Sequence, residues 1–192
     1  MRIVTLDEPS ASPERCARRM AAIGDFLPRG ATGAELGVFK GTFSGHLLAS
    51  GPRKLYLVDP WYRLAAEWKW AKGDPSTLRA FARLIDAFAP EIERGIVEPV
   101  VEFSDVFLRA LPAGHLDWVY IDTTHRFEQT LTELTLALAK VKPEGYIIGD
   151  DFNPDPRSRH HGVWRAVKQL EATGALRLVL EGRAGQFAAQ RA

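Results

Sequence analysis

Acidic residues recur in this chain where apolar runs end. Glu35-Leu36-Gly37 closes the first run and Asp59 the second. Ser104-Asp105 follows the third, and Asp122 and Asp150-Asp151 close the fourth and fifth. Carboxylates accept hydrogen bonds, bind cations and hold protons, so acids at successive strand ends would converge on one rim for a ligand. The stretch Gly33 to Ser44 reads as a strand, a Gly-containing turn and the start of a helix. Gly37 and Gly41 have no Cβ in the way, so a ligand can approach backbone N–H groups at the helix N-terminus. Asp59, at the end of Lys54–Val58, is placed to accept from ribose hydroxyls. The turn and the acid together point to a nucleoside cofactor and so to an enzyme. Each acid also has a purely structural reading: Glu35 capping local backbone, Asp59 forming a turn before Pro60, Asp150-Asp151 capping a loop with Asn153-Pro154. Their co-occurrence favours function. A cluster of rim acids repels itself unless it is hydrogen-bonded, neutralised by a cation or facing a ligand.

The elements that must position these residues follow from periodicity. Strand signals fall near residues 33–37, 54–59, 96–102, 116–122 and 145–150, with helical patterns between them. Val119-Tyr120-Ile121 and Tyr146-Ile147-Ile148 are unbroken apolar runs, as in parallel strands buried on both faces. Leu78, Phe81, Ile85 and Phe88 share a helical face, as do Phe127, Leu131, Leu134, Leu138 and Val141. The alternation predicts a doubly wound α/β sheet with right-handed crossovers. A helix over 13–27, with Pro13 in its first turn, buries Met20, Ile23, Phe26 and Leu27 and packs across the domain or covers the cofactor. Another runs over about 162–173 to Gly174. Leu176–Leu180 and Gln186–Ala189 are strand-like and only five residues apart, too close for a parallel crossover, so the sheet ends in an antiparallel hairpin.

Composition narrows the class. A chain of 192 residues, 46% hydrophobic and 26% charged, suits one globular α/β domain. A net charge of +1 gives no strong field toward nucleic acid or an anionic membrane. Cys16 stands alone, so no intramolecular disulfide forms, which fits a reducing compartment. The N-terminus lacks an apolar signal region and no run approaches a bilayer span, so a cytoplasmic location is the default expectation. The expected plan is a single domain over 1–192: a helical cover (1–29), a cofactor-binding core (30–150), and a substrate-side loop, helix and terminal hairpin (151–192).

The later half carries specific motifs: Asp117-Trp118-Val119-Tyr120-Ile121-Asp122-Thr123-Thr124-His125, then Val141-Lys142-Pro143-Glu144-Gly145-Tyr146-Ile147-Ile148-Gly149-Asp150-Asp151-Phe152. In order and spacing the chain resembles class I S-adenosylmethionine-dependent methyltransferases, most closely a small single-domain subfamily similar to metal-dependent O-methyltransferases. The resemblance runs from about residue 30 to 170. It implies a Rossmann-like seven-stranded, mostly parallel sheet with helices on both faces. It also implies S-adenosylmethionine as cofactor and methyl transfer to a small molecule, at a hydroxyl oxygen. Glu35, Gly37 and Gly41 would line the methionine and ribose side, and Asp59 would accept from the ribose hydroxyls with Trp61 beside the adenine. Ser104 and Asp105 would border the ring. Trp61, Tyr62, Trp68 and Trp70 crowd one segment, as core packing or as an aromatic wall.

Relatives that methylate hydroxyls hold Mg²⁺ with one side chain after the fourth strand and two after the fifth. Asp122, Asp150 and Asp151 match those positions, and hard oxygen ligands suit Mg²⁺. Asp122 could instead contact the cofactor. His125, three residues past Asp122, is the candidate general base, and Asp122 completes the catalytic pair. Relatives carry an acid or a Lys nearby, where this chain has Thr124 and His125, so a supporting His remains open. His160-His161 indicate no third metal ligand by spacing. The expected partner is a small molecule, with no nucleic acid and no membrane. A homo-oligomer stays open, since small relatives often complete their sites by pairing. The alternatives are a non-catalytic cofactor-binding subunit and an NAD-linked oxidoreductase. The turn E-x-G-x-x-x-G lacks the third Gly of a dinucleotide site and disfavours the latter.

Overall fold

The computed structural model describes residues 11–63 and 76–192. Among the described residues seven strands form one sheet: β1 (Thr32–Leu36), β2 (Lys54–Asp59), β3 (Val97–Val101), β4 (Leu116–Ile121), β5 (Val141–Gly149), β6 (Leu176–Glu181) and β7 (Phe187–Arg191). Their order is β3-β2-β1-β4-β5-β7-β6. β1 to β5 are parallel neighbours, and β7 lies antiparallel between β5 and β6. Six α-helices of the described residues cover the sheet: α1 (Pro13–Ile23), α2 (Ser44–Ala49), α3 (Ser76–Glu93), α4 (Ser104–Ala110), α5 (Phe127–Lys140) and α6 (His161–Ala172). The expected α/β architecture with a terminal antiparallel hairpin is thus present.

Strand side chains alternate between faces, and the core divides accordingly. Leu55, Leu57, Trp118 and Tyr120 pack with Cys16, Ile23, Leu47, Leu84 and Phe88 from α1, α2 and α3. Val58, Val119 and Ile121 pack on the other face with Phe107, Leu134, Val163 and Phe187. Fully burying each large apolar side chain contributes about 1.5–3 kcal/mol. Gly33 sits opposite Trp118 in the register, and a Cβ there would lie 2.2 Å from the indole. A side chain at residue 33 would therefore displace the largest ring of the central strand.

Several boundaries differ from the sequence expectation. The first helix ends at Ile23 and continues as a short 3₁₀ turn, Gly24–Phe26. Met20 and Phe26 are half-buried, while Cys16, Arg19, Ala22 and Ile23 form the inner face. Ser12 caps this helix by accepting from the Arg15 N–H at 3.2 Å. In α3 the buried positions are Thr77, Ala80, Leu84 and Phe88, and Leu78 is 52% exposed. Phe88 is buried as expected and Phe81 and Ile85 pack half-buried against the core, so of the expected face only Leu78 turns to solvent. β5 begins at Val141, directly after α5, as its first residues pair with β4 across an irregularity between Leu116 and Trp118. Trp68 and Trp70 lie outside the described residues. Among the described residues no helix is long and apolar enough to cross a membrane.

Candidate active site

The carboxyl ends of β1, β2, β4 and β5 are stitched in sequence by backbone bonds. Gly37 N–H donates to Val58 O at 2.9 Å, Asp122 N–H to Leu36 O at 2.8 Å, and Asp150 N–H to Ile121 O at 3.1 Å. The polar residues just past the strands therefore share one edge, at the point where strand order reverses between β1 and β4. Gly37 has φ +88, and a Cβ there would meet the Asp122 carbonyl oxygen at 2.1 Å. Only glycine lets the β1 turn lie this close to the β4 end.

On the β1 and β2 side the acids are sequestered. Glu35 is 2% exposed, and burial pushes its carboxyl up to about 8, partly offset by the hydroxyl that Ser44 donates. Asp59 accepts from Phe39 N–H at 2.8 Å and Trp61 N–H at 2.7 Å. Burial raises its carboxyl as well, against those backbone bonds. The Trp61 ring is fully buried against Phe81, and its indole N–H donates to Phe39 O at 2.8 Å. Asp59 and Trp61 thus clamp the loop after β1 to the end of β2.

Ser104 and Asp105 part company. Ser104 is buried and donates to Glu133, which also accepts from Gln129 at 3.0 Å and Thr123 at 2.8 Å. Burial raises the Glu133 carboxyl despite these donors. Asp105 lies at the surface beside Arg109, at 3.9 Å.

Asp122, Asp150 and Asp151 do converge: each offers an oxygen, all within 4.8 Å of one another. Two arginines of α1 reach them. Arg19 Nη2 lies 2.7 Å from Asp122 and 3.0 Å from Asp150, and Arg15 lies 3.2 Å from Asp150. Arg19 also donates from Nε to the Tyr120 hydroxyl at 3.1 Å and stacks over Phe43 at 4.0 Å. Tyr120 in turn donates to Gln186 at 2.7 Å, and Gln186 donates to Asp150. Asp122 and Asp150 therefore share one buried guanidinium, and Arg15 adds a second cation beside Asp150.

The charges sort the protons. Burial alone would push Asp122 up, but the His125 hydrogen bond and the Arg19 charge outweigh it and hold this carboxyl low. Burial and the Asp122 charge raise Asp150. Burial would lower His125, yet its bond to Asp122 and the charges of Asp122, Asp151 and Asp150 raise it. His125 Nε2 stands 3.0 Å from Asp122 Oδ1 and 3.1 Å from Asp151 Oδ2. His160 Nδ1 stands 2.7 Å from the same Asp151 oxygen. His125 and Asp151 both take left-handed backbone, with φ of 60 and 58. Strain of this kind, of order 1–3 kcal/mol per residue, concentrates at functional sites.

The Arg19, Tyr120, Gln186 and Glu133 contributions escape sequence reasoning, and the spacing of His160 gives no sign of its contact with Asp151. The one available signal is helical phase: Arg19 lies three residues after buried Cys16 and four before buried Ile23.

A protein-family model described as a methyltransferase domain matches residues 34–152. No curated protein matches the chain. Among solved structures, a Podospora anserina methyltransferase with bound SAH superposes with TM-score 0.63 at 14% identity, covering 95% of this chain and 80% of the other. Aeropyrum pernix fibrillarin with natively bound S-adenosyl-L-methionine gives 0.56 at 17% identity, covering 91% and 75%. Spermidine synthase from Thermotoga maritima gives 0.56 at 14%, covering 93% and 60%. At these identities the likeness is one of fold. The family match runs from β1 to the loop after β5, more than half of the sequence, and the chain belongs to the methyltransferase-domain family.

Proposed function

We propose that this protein binds S-adenosylmethionine on the β1–β2–β4 rim and methylates a hydroxyl oxygen of a small molecule. The observation that carries the reading is the Asp122–His125 pair at the end of β4, beside the turn that Gly37 alone permits. The residues present fit the cofactor. Buried Glu35 lies where a cationic amino-acid group would draw it into its charged form, and the Asp59 oxygens, which accept from backbone N–H groups of Val38, Phe39 and Trp61, keep a lone pair to offer. Two neighbours with this fold were solved with S-adenosyl-L-methionine or SAH, which supports the same choice. The bound cofactor supplies an electrophilic sulfonium methyl.

His125 Nε2–H donates to Asp122 Oδ1, which fixes the tautomer and leaves Nδ1 as the atom that takes the acceptor's proton. Glu35, Asp59 and the Gly37 turn would hold the cofactor, which would supply its methyl to the acceptor oxygen and keep the C–S electron pair on sulfur. The low-lying Asp122 carboxylate stabilises the imidazolium that results. Arg19 holds Asp122 in place and, through Tyr120 and Gln186, ties it to Asp150.

The three-aspartate set matches Mg²⁺ in donor type, but not in arrangement. Arg19 occupies the space between Asp122 and Asp150, so a divalent ion there would have to expel a buried guanidinium.

Titration calorimetry with S-adenosylhomocysteine tests the reading. We expect one site per chain and turnover of hydroxylated small molecules with labelled cofactor. Absence of binding by folded protein, or binding of NADH in its place, would overturn it.

A further inference from the structure

With Asp122 and Asp150 committed to Arg19, the remaining donors at the rim form a different set. We infer that His125, Asp151 and His160 make a binding site for a divalent transition-metal ion, of the Mn²⁺, Fe²⁺, Co²⁺ or Zn²⁺ class rather than Mg²⁺. The binding claim is independent of the methyl-transfer reading.

Three chain segments bring the ligands together: the loop after β4, the loop after β5, and the residue preceding α6. Their ligand atoms lie within 4.8 Å of one another. His125 Nε2 and His160 Nδ1 approach one oxygen, Asp151 Oδ2, at 3.1 and 2.7 Å. Metal–ligand bonds of about 2.1 Å place neighbouring donors of an octahedron roughly 3 Å apart, so this spacing suits a common ion. The two rings stack at 4.6 Å with an interplanar angle of 19°. All three residues are half-buried, so an ion could enter from solvent. Hydrogen bonding alone uses the cluster poorly, since the single His125 Nε2 faces both Asp122 and Asp151. Two imidazoles and one carboxylate on one face are a donor set for borderline ions, whereas Mg²⁺ prefers oxygen throughout.

Existing contacts oppose loading. His125 must give up the Nε2 proton that it donates to Asp122, and Arg15 stands 4.0 Å from Asp151. Arg159 Nε donates to His160 Nε2 at 2.7 Å, which requires a lone pair there. A metal on Nδ1 puts the imidazole proton on Nε2, so exposed Arg159 must swing away. Removing Arg159 should therefore tighten the site. A consequence does rest on the methyl-transfer reading: an ion on His125 Nε2 leaves the proton on Nδ1, so loading would silence the base.

The test is calorimetry and visible absorption on tag-free, chelator-stripped protein titrated with Co²⁺, Zn²⁺ and Mg²⁺. We expect one Co²⁺ or Zn²⁺ per chain and much weaker Mg²⁺ binding. His160→Ala should weaken binding at least about ten-fold, Arg159→Ala should strengthen it, and Asp150→Asn should leave it within a few-fold. Circular dichroism checks the fold of each variant, and His160→Asn serves where His160→Ala fails to fold. Binding lost in Asp150→Asn but kept in both His160 variants would overturn the site, as would no Co²⁺ or Zn²⁺ binding at millimolar ion. Failure of S-adenosylhomocysteine to bind would leave these outcomes untouched.

Discussion

Arg19 is buried against two carboxylates, a phenol and an aromatic face. Removing one member of such a group strands the others without compensation. We expect Arg19→Ala to lose roughly 3–5 kcal/mol in urea unfolding, and Arg19→Lys to recover part of it by restoring charge without the planar fork. Glu35 makes a different prediction. Its carboxyl rises from an ordinary 4.5 to about 8 in the folded chain, through burial first. Between those values the folded state holds a proton that the unfolded chain has released. Stability is thus fully present below about pH 4.5 and declines toward about pH 8, by up to about 1.4 kcal/mol per pH unit. The stability–pH curve of Glu35→Gln should be flatter over that window. An unchanged slope would show that other groups, such as the likewise raised Asp59 and Glu133, carry the dependence. The acids at 122, 150 and 151 were legible in the sequence because each ends an apolar run within a recognisable motif. Arg19 was not, because Arg15-Cys16-Ala17-Arg18-Arg19 reads as a solvated helix face until the helix is set against the sheet.

Turns between elements bring the rim together, and two glycines separate backbone freedom from crowding. Gly30 and Gly37 both have positive φ, but a Cβ at Gly30 meets nothing within 4 Å, and one at Gly37 strikes the Asp122 carbonyl. Gly30→Ala should cost about 1–2 kcal/mol, the strain of left-handed backbone alone. Gly37→Ala should cost well more and weaken S-adenosylhomocysteine binding, because the β1 turn must part from β4. Equal losses in thermal melts would refute this picture. The Gly turn, the parallel strands and the closing hairpin were legible from apolar runs and link lengths. The exposure of Leu78 and the early start of β5 were not, since both depend on how closely a neighbouring element approaches.

Across the whole molecule, the sheet was legible because its central strands are apolar on both faces, and two separate cores confirm that burial. The compensation of its charges was not. Arg19 meets Asp122 across 103 positions, and Gln186 meets Asp150 across 36. Such distances carry no periodicity.

The place of β7 has a further consequence. It follows β6 in the chain yet lies inside it, between β5 and β6, and it opens with Phe187, next to the Gln186 that holds Asp150. β6 therefore has no seat in the sheet until β7 arrives, and the outer edge of β5 stays bare until then. During synthesis the acid rim takes its final form only after nearly all of this stretch has emerged. A chain interrupted before residue 186 would carry every acid of the site and still lack the hand that sets one of them.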